Sequence, residues 1–188
     1  AAVLAECTPF FERLPKQATL LDVGTGLGDI PAHLARGASK HGITLHTIGA
    51  ELATALAPHA RRHLSYLVGA DAMALPFPDR SIDIVIASQV LHHFHEPGTA
   101  AMLCEMNRVA RTAVIVSDLR RCWAAAGGFW LASFPLRFHA ITRHDGVASV
   151  LRGFTASELS SIIVSALGVR PTIHRRAAFR LTASWAPV

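Results

Sequence analysis

The chain has 188 residues, a formal charge of +5 and a pI near 9.9; just over half of its residues are hydrophobic and charged residues are sparse. That length and apolar content suit one domain with a single core and exclude a disordered chain. The basic excess is small and scattered, with no run of five like charges, so nucleic acid is not the favoured partner.

Cys7, Cys104 and Cys122 are odd in number and lack CxxC spacing, which argues against a disulfide framework or a zinc ribbon. Free thiols fit a reducing, cytoplasmic location. The apolar stretch from Trp123 to Phe134 is too short to span a bilayer. No basic-then-apolar leader opens the chain, and it starts without Met, which we read as a shortened N-terminus.

In chain order, "VLAECTPFFERL" has helical spacing and stops at Pro15. "ATLLDV" is a continuous apolar run ending at glycines, the pattern of a strand covered on both faces. Asp29 is positioned to cap a helix through "IPAHLARGAS". "ITLHTIGA" and "LSYLVGA" read as strands, separated by an Ala-rich helix over 52–64 that Pro58 interrupts. "SIDIVIAS" and "TAVIVSDL" are further strands flanking a helix in "GTAAMLCEMNRVA". A hydrophobic insertion follows at about 120–145. Thr155 and Glu158 form a capping box at the head of the next helix. Two alternating segments at the end read as an antiparallel hairpin. The expectation is one α/β domain over 1–188, doubly wound around a mostly parallel seven-stranded sheet. Ligands of such sheets bind beyond the carboxyl ends of the strands.

The candidate residues lie at those ends. "DVGTGLGD" has glycines at 24, 26 and 28, and Asp29 stands where a dinucleotide fingerprint needs its third glycine. A pyrophosphate there would meet a negative charge. The competing reading is a plain strand-to-helix turn. Glu51 ends the second strand, where a carboxylate can accept both hydroxyls of a ribose; it could also simply open the next helix. Asp71 follows the third strand, where it can take an adenine amine while the Ala72 amide meets a ring nitrogen, or where it can form a turn. Ser88 and Gln89 end the fourth strand.

These segments, "LLDVGTGLGDI", "IGAEL", "GADAMALPFPDRSIDIVIASQVLHHF" and "TAVIVSDL", resemble the ordered motifs of class I S-adenosylmethionine-dependent methyltransferases. More narrowly they resemble the small-molecule group that includes quinone-biosynthesis and natural-product enzymes. The resemblance implies a Rossmann-like methyltransferase fold with S-adenosylmethionine as cofactor. Asp22, Gly24, Thr25, Gly26 and Gly28 would approach its amino-acid part, Glu51 its ribose, Asp71 and Ala72 its adenine, and Ser88 the region near the sulfonium.

The implied reaction is methyl transfer to a small, largely apolar acceptor, with oxygen the favoured target and carbon next. An un-ionised oxygen acceptor wants a base. His92 and His93 lie close behind the fourth strand, and His93 is a candidate base or a packing residue beside the cofactor. The His92-His93-x-His95 cluster is not read as a metal site, because adjacent histidines are expected to point apart. In "TRHDG", His144 is a second candidate base with Asp145 orienting it and Arg143 holding an anionic acceptor; the rival reading is a polar loop with an Asp-Gly turn. The aromatic insertion, with Gly127-Gly128 as hinge, reads as a lid or core helix, and its flanking arginines also suit peripheral contact with a membrane. Methylation of nucleic acid or protein, and a non-catalytic binding module, are the alternatives.

Overall fold

A computed structural model describes residues 2–53, 55 and 57–188. The strands are β1 (Gln17–Val23), β2 (Thr44–Glu51), β3 (Tyr66–Gly69), β4 (Ile82–Ser88), β5 (Ala110–Leu119), β6 (Thr172–Arg176) and β7 (Arg180–Trp185). They form one sheet in the order β3-β2-β1-β4-β5-β7-β6. The first five are parallel, and β7 runs antiparallel to both β5 and β6. The expected sheet and closing hairpin are therefore present.

The helices are α1 (Ala2–Phe11), α2 (Asp29–Ser39), α3 (Ala57–Ala60), α4 (Glu96–Val109), α5 (Trp123–Ala132), α6 (Ala140–Arg152) and α7 (Ala156–Leu167). Strand alternation divides the core in two. Leu21, Val23, Val85, Val114 and Val116 pack with Met102, Leu103 and Met106 of α4 and with Leu159 and Ile163 of α7. On the opposite face, Leu20, Ile84, Ile86 and Ile115 pack with Val3, Cys7 and Phe11 of α1 and with Leu34 of α2. Both faces are covered, so the central strands are mostly apolar, with Asp22 and Asp83 as buried exceptions.

Local differences from the sequence expectation have simple causes. Asp29 is the first residue of α2 rather than its cap; Gly28 is the cap, in a left-handed conformation, and makes no side-chain bond. Asp29 still sits favourably at the positive end of the helix dipole. Of the expected helix over 52–64, Ala57–Ala60 is the α-helical part among the described residues, and Thr54 and Leu56 lie outside them. α1 closes at Phe11 and continues as turns to Leu14. The capping box is formed: Glu158 donates its amide to Thr155 Oγ1 at 3.2 Å, and Thr155 donates its amide to Glu158 Oε2 at 2.9 Å.

The insertion is a helical hairpin, α5 and α6, whose partners leave it largely uncovered. α6 has no buried residue, and α5 buries only Ala125 and Ala126. "TRHDG" is not a loop but part of α6, because Gly146 is held against Phe129 of α5. Gly127 and Gly128 lie inside α5 with no neighbour within 4 Å of a built Cβ. Among the described residues no helix is long and apolar enough to cross a membrane.

Candidate cofactor and acceptor site

The parallel order brings the carboxyl ends of β3, β2, β1, β4 and β5 to one edge. At its centre the glycine turn after β1 is hung on β2. Gly24 and Thr25 donate their amides to the Ala50 carbonyl, at 2.8 and 3.2 Å. Gly26 donates its amide to Glu51 Oε2 at 2.9 Å, and Ala53 donates to Glu51 Oε1 at 2.9 Å. Glu51 thus braces the turn, and each oxygen keeps a lone pair for a hydroxyl donor.

The three glycines clear space for different neighbours. A Cβ on Gly24 would lie 2.7 Å from Val90 Cγ2, so there the protein itself requires glycine. A Cβ on Gly26 meets nothing within 4 Å, so this backbone faces the open edge.

Asp22 is almost fully buried behind the turn. Its Oδ2 accepts Thr25 Oγ1–H at 3.0 Å, while its buried Oδ1 has no partner among the described residues. Burial pushes its carboxyl up to about 7; Asp29 and Glu51 add to the rise, and the Thr25 bond opposes it. An orphaned carboxylate oxygen here fits the ammonium of an amino-acid moiety. Asp71 is exposed after β3, with Oδ1 accepting the Met73 amide at 2.9 Å. The following loop is fixed from α4: Arg108 donates to the carbonyls of Phe77 and Leu75, and Glu105 accepts the Leu75 amide.

Beyond β4 lies a short 3-10 turn over Leu91–His93. Here the structure adds a residue that sequence reasoning missed. Asp118, at the end of β5 and fully buried, lies with Oδ1 2.6 Å from His92 Nδ1. Its Oδ2 accepts the His92 amide at 3.3 Å, and Oδ1 also accepts the Leu119 amide. The signal was available: an acid in "VSDL" ends the strand beside the one that precedes the histidines. His92 and His93 do not point apart as expected. Their ring centroids lie 4.1 Å apart, with the planes tilted by 39°. His93 is exposed, and its pKa is lowered, first by partial burial and then by His92 and Arg152 against the pull of Asp118. Among the described residues no three His, Cys, Asp or Glu side chains gather as a metal-binding set.

The pair expected at His144–Asp145 is not assembled. These are neighbouring residues of α6 with side chains 84% and 70% exposed, 3.6 Å apart, so nothing desolvates or aligns them. Arg143 is already engaged. Its Nε donates to Ser133 Oγ at 2.6 Å, and its guanidinium covers the Phe134 ring at 3.8 Å.

A cleft of about 610 Å³ opens at the edge beside the glycine turn. Ala2, Val3, Leu4 and Ala5 of α1 wall one side with Ile30 and Leu34 of α2; Ser88, Ser117, Arg176 and Arg180 supply polar groups from the sheet, and Asp29 and His33 from α2. α1 is fastened over it by Glu6. This buried carboxylate of α1 accepts bonds from His174 and Arg176 of β6 and from Thr182 and Ser184 of β7. Burial alone would raise its pKa, but the bonds from Thr182, Arg176 and His174 outweigh that and hold it below its ordinary value.

Residues 21–116 match the methyltransferase-domain family, half of the chain. An uncharacterized methyltransferase of Mycolicibacterium gilvum (strain PYR-GCK) is 30% identical over 148 residues, which are 76% of this chain and 49% of that protein. The chain thus spans about half the length of that curated relative. A SAM-dependent methyltransferase from Aquifex aeolicus has the same fold, with a TM-score of 0.70 at 16% identity, covering 98% of this chain and 89% of that one. Magnesium protoporphyrin IX methyltransferase of Synechocystis PCC 6803, solved with bound SAH, gives a TM-score of 0.65 at 16% identity over 100% of this chain and 81% of that one. Matched through the strands and turns that build this edge, the chain belongs to the methyltransferase-domain family.

Proposed function

We propose that the protein methylates a small, largely apolar acceptor, at oxygen in preference to carbon. The observation that carries this reading is the bond from Gly26 to Glu51, which sets an open glycine backbone and a ribose-type acid side by side. In this reading Asp22 and the 24–28 turn hold the amino-acid end of S-adenosylmethionine, Glu51 the ribose, Asp71 with the Ala72 amide the adenine, and Ser88 the region near the sulfonium.

When bound, the cofactor supplies a methyl carbon on a positive sulfur, open to in-line displacement. Held by Asp22, the 24–28 turn and Glu51, the cofactor would present that carbon to an acceptor lone pair, with the neutral thioether as the leaving group. The protein's work is alignment and exclusion of water. The acceptor's proton goes to His93, whose lowered pKa keeps it unprotonated and ready to accept. His92, fixed by Asp118, holds the ring it lies against. His144 and Asp145 receive no role, and Arg143 serves the packing of the hairpin. α5 and α6 form the cover on the acceptor side; exposed Trp123 and Trp130 near Arg120 and Arg137 favour peripheral contact of this hairpin with a membrane surface.

Calorimetry with S-adenosylhomocysteine tests the cofactor site. Folded protein that fails to bind it would overturn the reading. A non-catalytic module would bind yet yield no labelled product from pooled phenolic acceptors and labelled S-adenosylmethionine.

A further inference from the structure

Three polar groups on one side of the sheet are left without work. Ser88 ends β4 and pairs in register with Ser117 of β5; Ser117 pairs with Thr182 of β7, and Arg180 stands two residues before Thr182. Alternation along β7 puts Arg180 on the same face as Thr182 and Ser184, the face that meets Glu6 of α1. Ser88, Ser117 and Arg180 all line the cleft under α1. Among the described residues neither serine hydroxyl has a hydrogen-bond partner, and the Arg180 guanidinium has neither a hydrogen bond nor an ion pair; its Nη1 is buried and unpartnered.

Arg120 Nε is also buried and unpartnered, but the Arg120 guanidinium lies over the Phe179 ring at 5.6 Å. Arg108, Arg111, Arg121 and Arg176 all meet carboxylates within 3 Å. The one acid whose charge reaches Arg180 is Asp118, and its two oxygens are committed to His92 and Leu119. Arg176 in the same wall is neutralised by Glu6. Burying a guanidinium without an acceptor is costly, and a planar fork of five donors is matched by a carboxylate or an acidic oxygen.

We infer that Arg180 is the anchor for an anionic oxygen of the acceptor, a carboxylate or an acidic phenol or enol, with Ser117 beside it. This rests on the methyltransferase reading and narrows its substrate class. β4 and β7 are two strand spacings apart, roughly 10 Å. Arg180 lies two residues, roughly 7 Å, further along its strand, so its Cα stands about 12 Å from that of Ser88, where the methyl group is placed. The apolar wall of Val3, Leu4 and Ile30 contacts the body of the acceptor between the two points. The acceptor is amphipathic: acidic at one end, apolar in its body, methylated at the other end.

The test uses wild type, Arg180→Gln and Arg180→Lys. S-adenosylhomocysteine affinity is measured first by calorimetry; loss of it in the wild type sinks the methyltransferase reading itself. With the cofactor product bound, thermal unfolding is then followed with benzoate, 4-hydroxybenzoate, naphthoate and decanoate, and with the neutral amide of each. The expected result is a rise in Tm of the wild type with at least one acid and not with its amide. In R180Q that response falls at least tenfold in apparent affinity with S-adenosylhomocysteine binding unchanged, and R180K restores part of it. The Tm of ligand-free R180Q stays at or above the wild-type value, because no bond is lost. Three results overturn the proposal: no acid acts on the wild type, acids act equally on R180Q, or R180Q alone lowers Tm by several degrees, which marks a structural arginine.

Discussion

Asp118 holds His92 with both carboxylate oxygens, Oδ1 against the ring Nδ1 at 2.6 Å and Oδ2 against the backbone amide at 3.3 Å. The pair ties the end of β5 to the turn after β4 and makes Nδ1 the protonated nitrogen of His92. Asp118→Asn places an amide NH2 among donors and is expected to cost about 1–3 kcal/mol of stability. The tautomer is read by long-range proton–nitrogen NMR. A wild-type spectrum with a bare Nδ1 contradicts the assignment; a switched or mixed tautomer in D118N supports it.

The proposed contact between Asp22 and the ammonium of the cofactor would make binding depend on pH. Its pKa is raised from an ordinary 3.8 to about 7 by burial, so below pH 7 the folded protein binds a proton that the unfolded chain has released. The sign follows: this group lowers stability as pH rises from about 4 through 7. Asp22→Asn is expected to gain stability over wild type across that window, by at most about 4 kcal/mol. An ammonium placed on Oδ1 favours the ionised form. Binding of S-adenosylhomocysteine at pH 6 should thus release close to one proton, and none in D22N. Calorimetry in buffers of different ionisation enthalpy counts the protons, and equal counts for the two proteins refute the contact.

Gly24 and Gly26 separate packing from ligand approach. Both have positive φ, 71° and 55°, so alanine at either costs about 1–2 kcal/mol. Gly24→Ala also drives a methyl into Val90 and should lose about 1–3 kcal/mol more. Gly26→Ala meets no protein atom within 4 Å, yet its methyl would stand in the space proposed for the cofactor. S-adenosylhomocysteine affinity should fall at least tenfold in G26A while its Tm stays above that of G24A. The reverse order of stabilities contradicts the geometry.

The sheet was legible because its signal is local and repeated. Continuous apolar runs such as "LLDV" and "DIVIAS" end in Gly, Ser or acid, and the glycine turn, Glu51, Asp71 and Ser88 each lie at or just past the end of a strand. The acceptor side was not legible. "TRHDG" contains a turn-forming Asp-Gly pair, but Phe129 packing against Gly146 lets the helix continue through it. Arg143 looked free because Ser133 and Phe134, its partners, lie on the other arm of the hairpin. Glu6 and Asp118 act through partners 168 and 26 residues away, a relation that no spacing rule reaches.

Glu6 fastens α1 across the cleft, and acid should release it. Its pKa is held below its ordinary value, so the stabilisation is complete above about pH 4.5 and is lost as pH falls through the lower folded value. Hydrogen exchange of α1 amides should accelerate below pH 4.5 before the central strands respond. Glu6→Gln should show the faster exchange already at pH 7 and cost about 3 kcal/mol, since Arg176 is left without its carboxylate. Unchanged α1 protection in E6Q dismisses the latch.

The α5–α6 hairpin combines apolar exposure with positive charge. Trp123 is 76% exposed and Ile141 65%, with Trp130, Leu131 and Leu136 also open. From 120 to 152 the chain has five arginines and one acid, Asp145, so most of the formal charge of +5 arises there. Arg121 is paired with Glu158, Arg143 lies on Phe134 and Arg120 over Phe179, which leaves the exposed Arg137 and Arg152 to face an anionic surface. Each basic side chain near such a surface contributes about 1 kcal/mol, and the aromatic rings suit the headgroup layer. The protein is expected to float with vesicles containing a third anionic lipid, to bind purely zwitterionic vesicles at least tenfold more weakly, and to lose binding as salt rises. Trp123→Ala with Trp130→Ala should reduce flotation without lowering S-adenosylhomocysteine affinity. Equal recovery with neutral and anionic vesicles removes the electrostatic part of the reading, and no recovery with either removes membrane contact altogether.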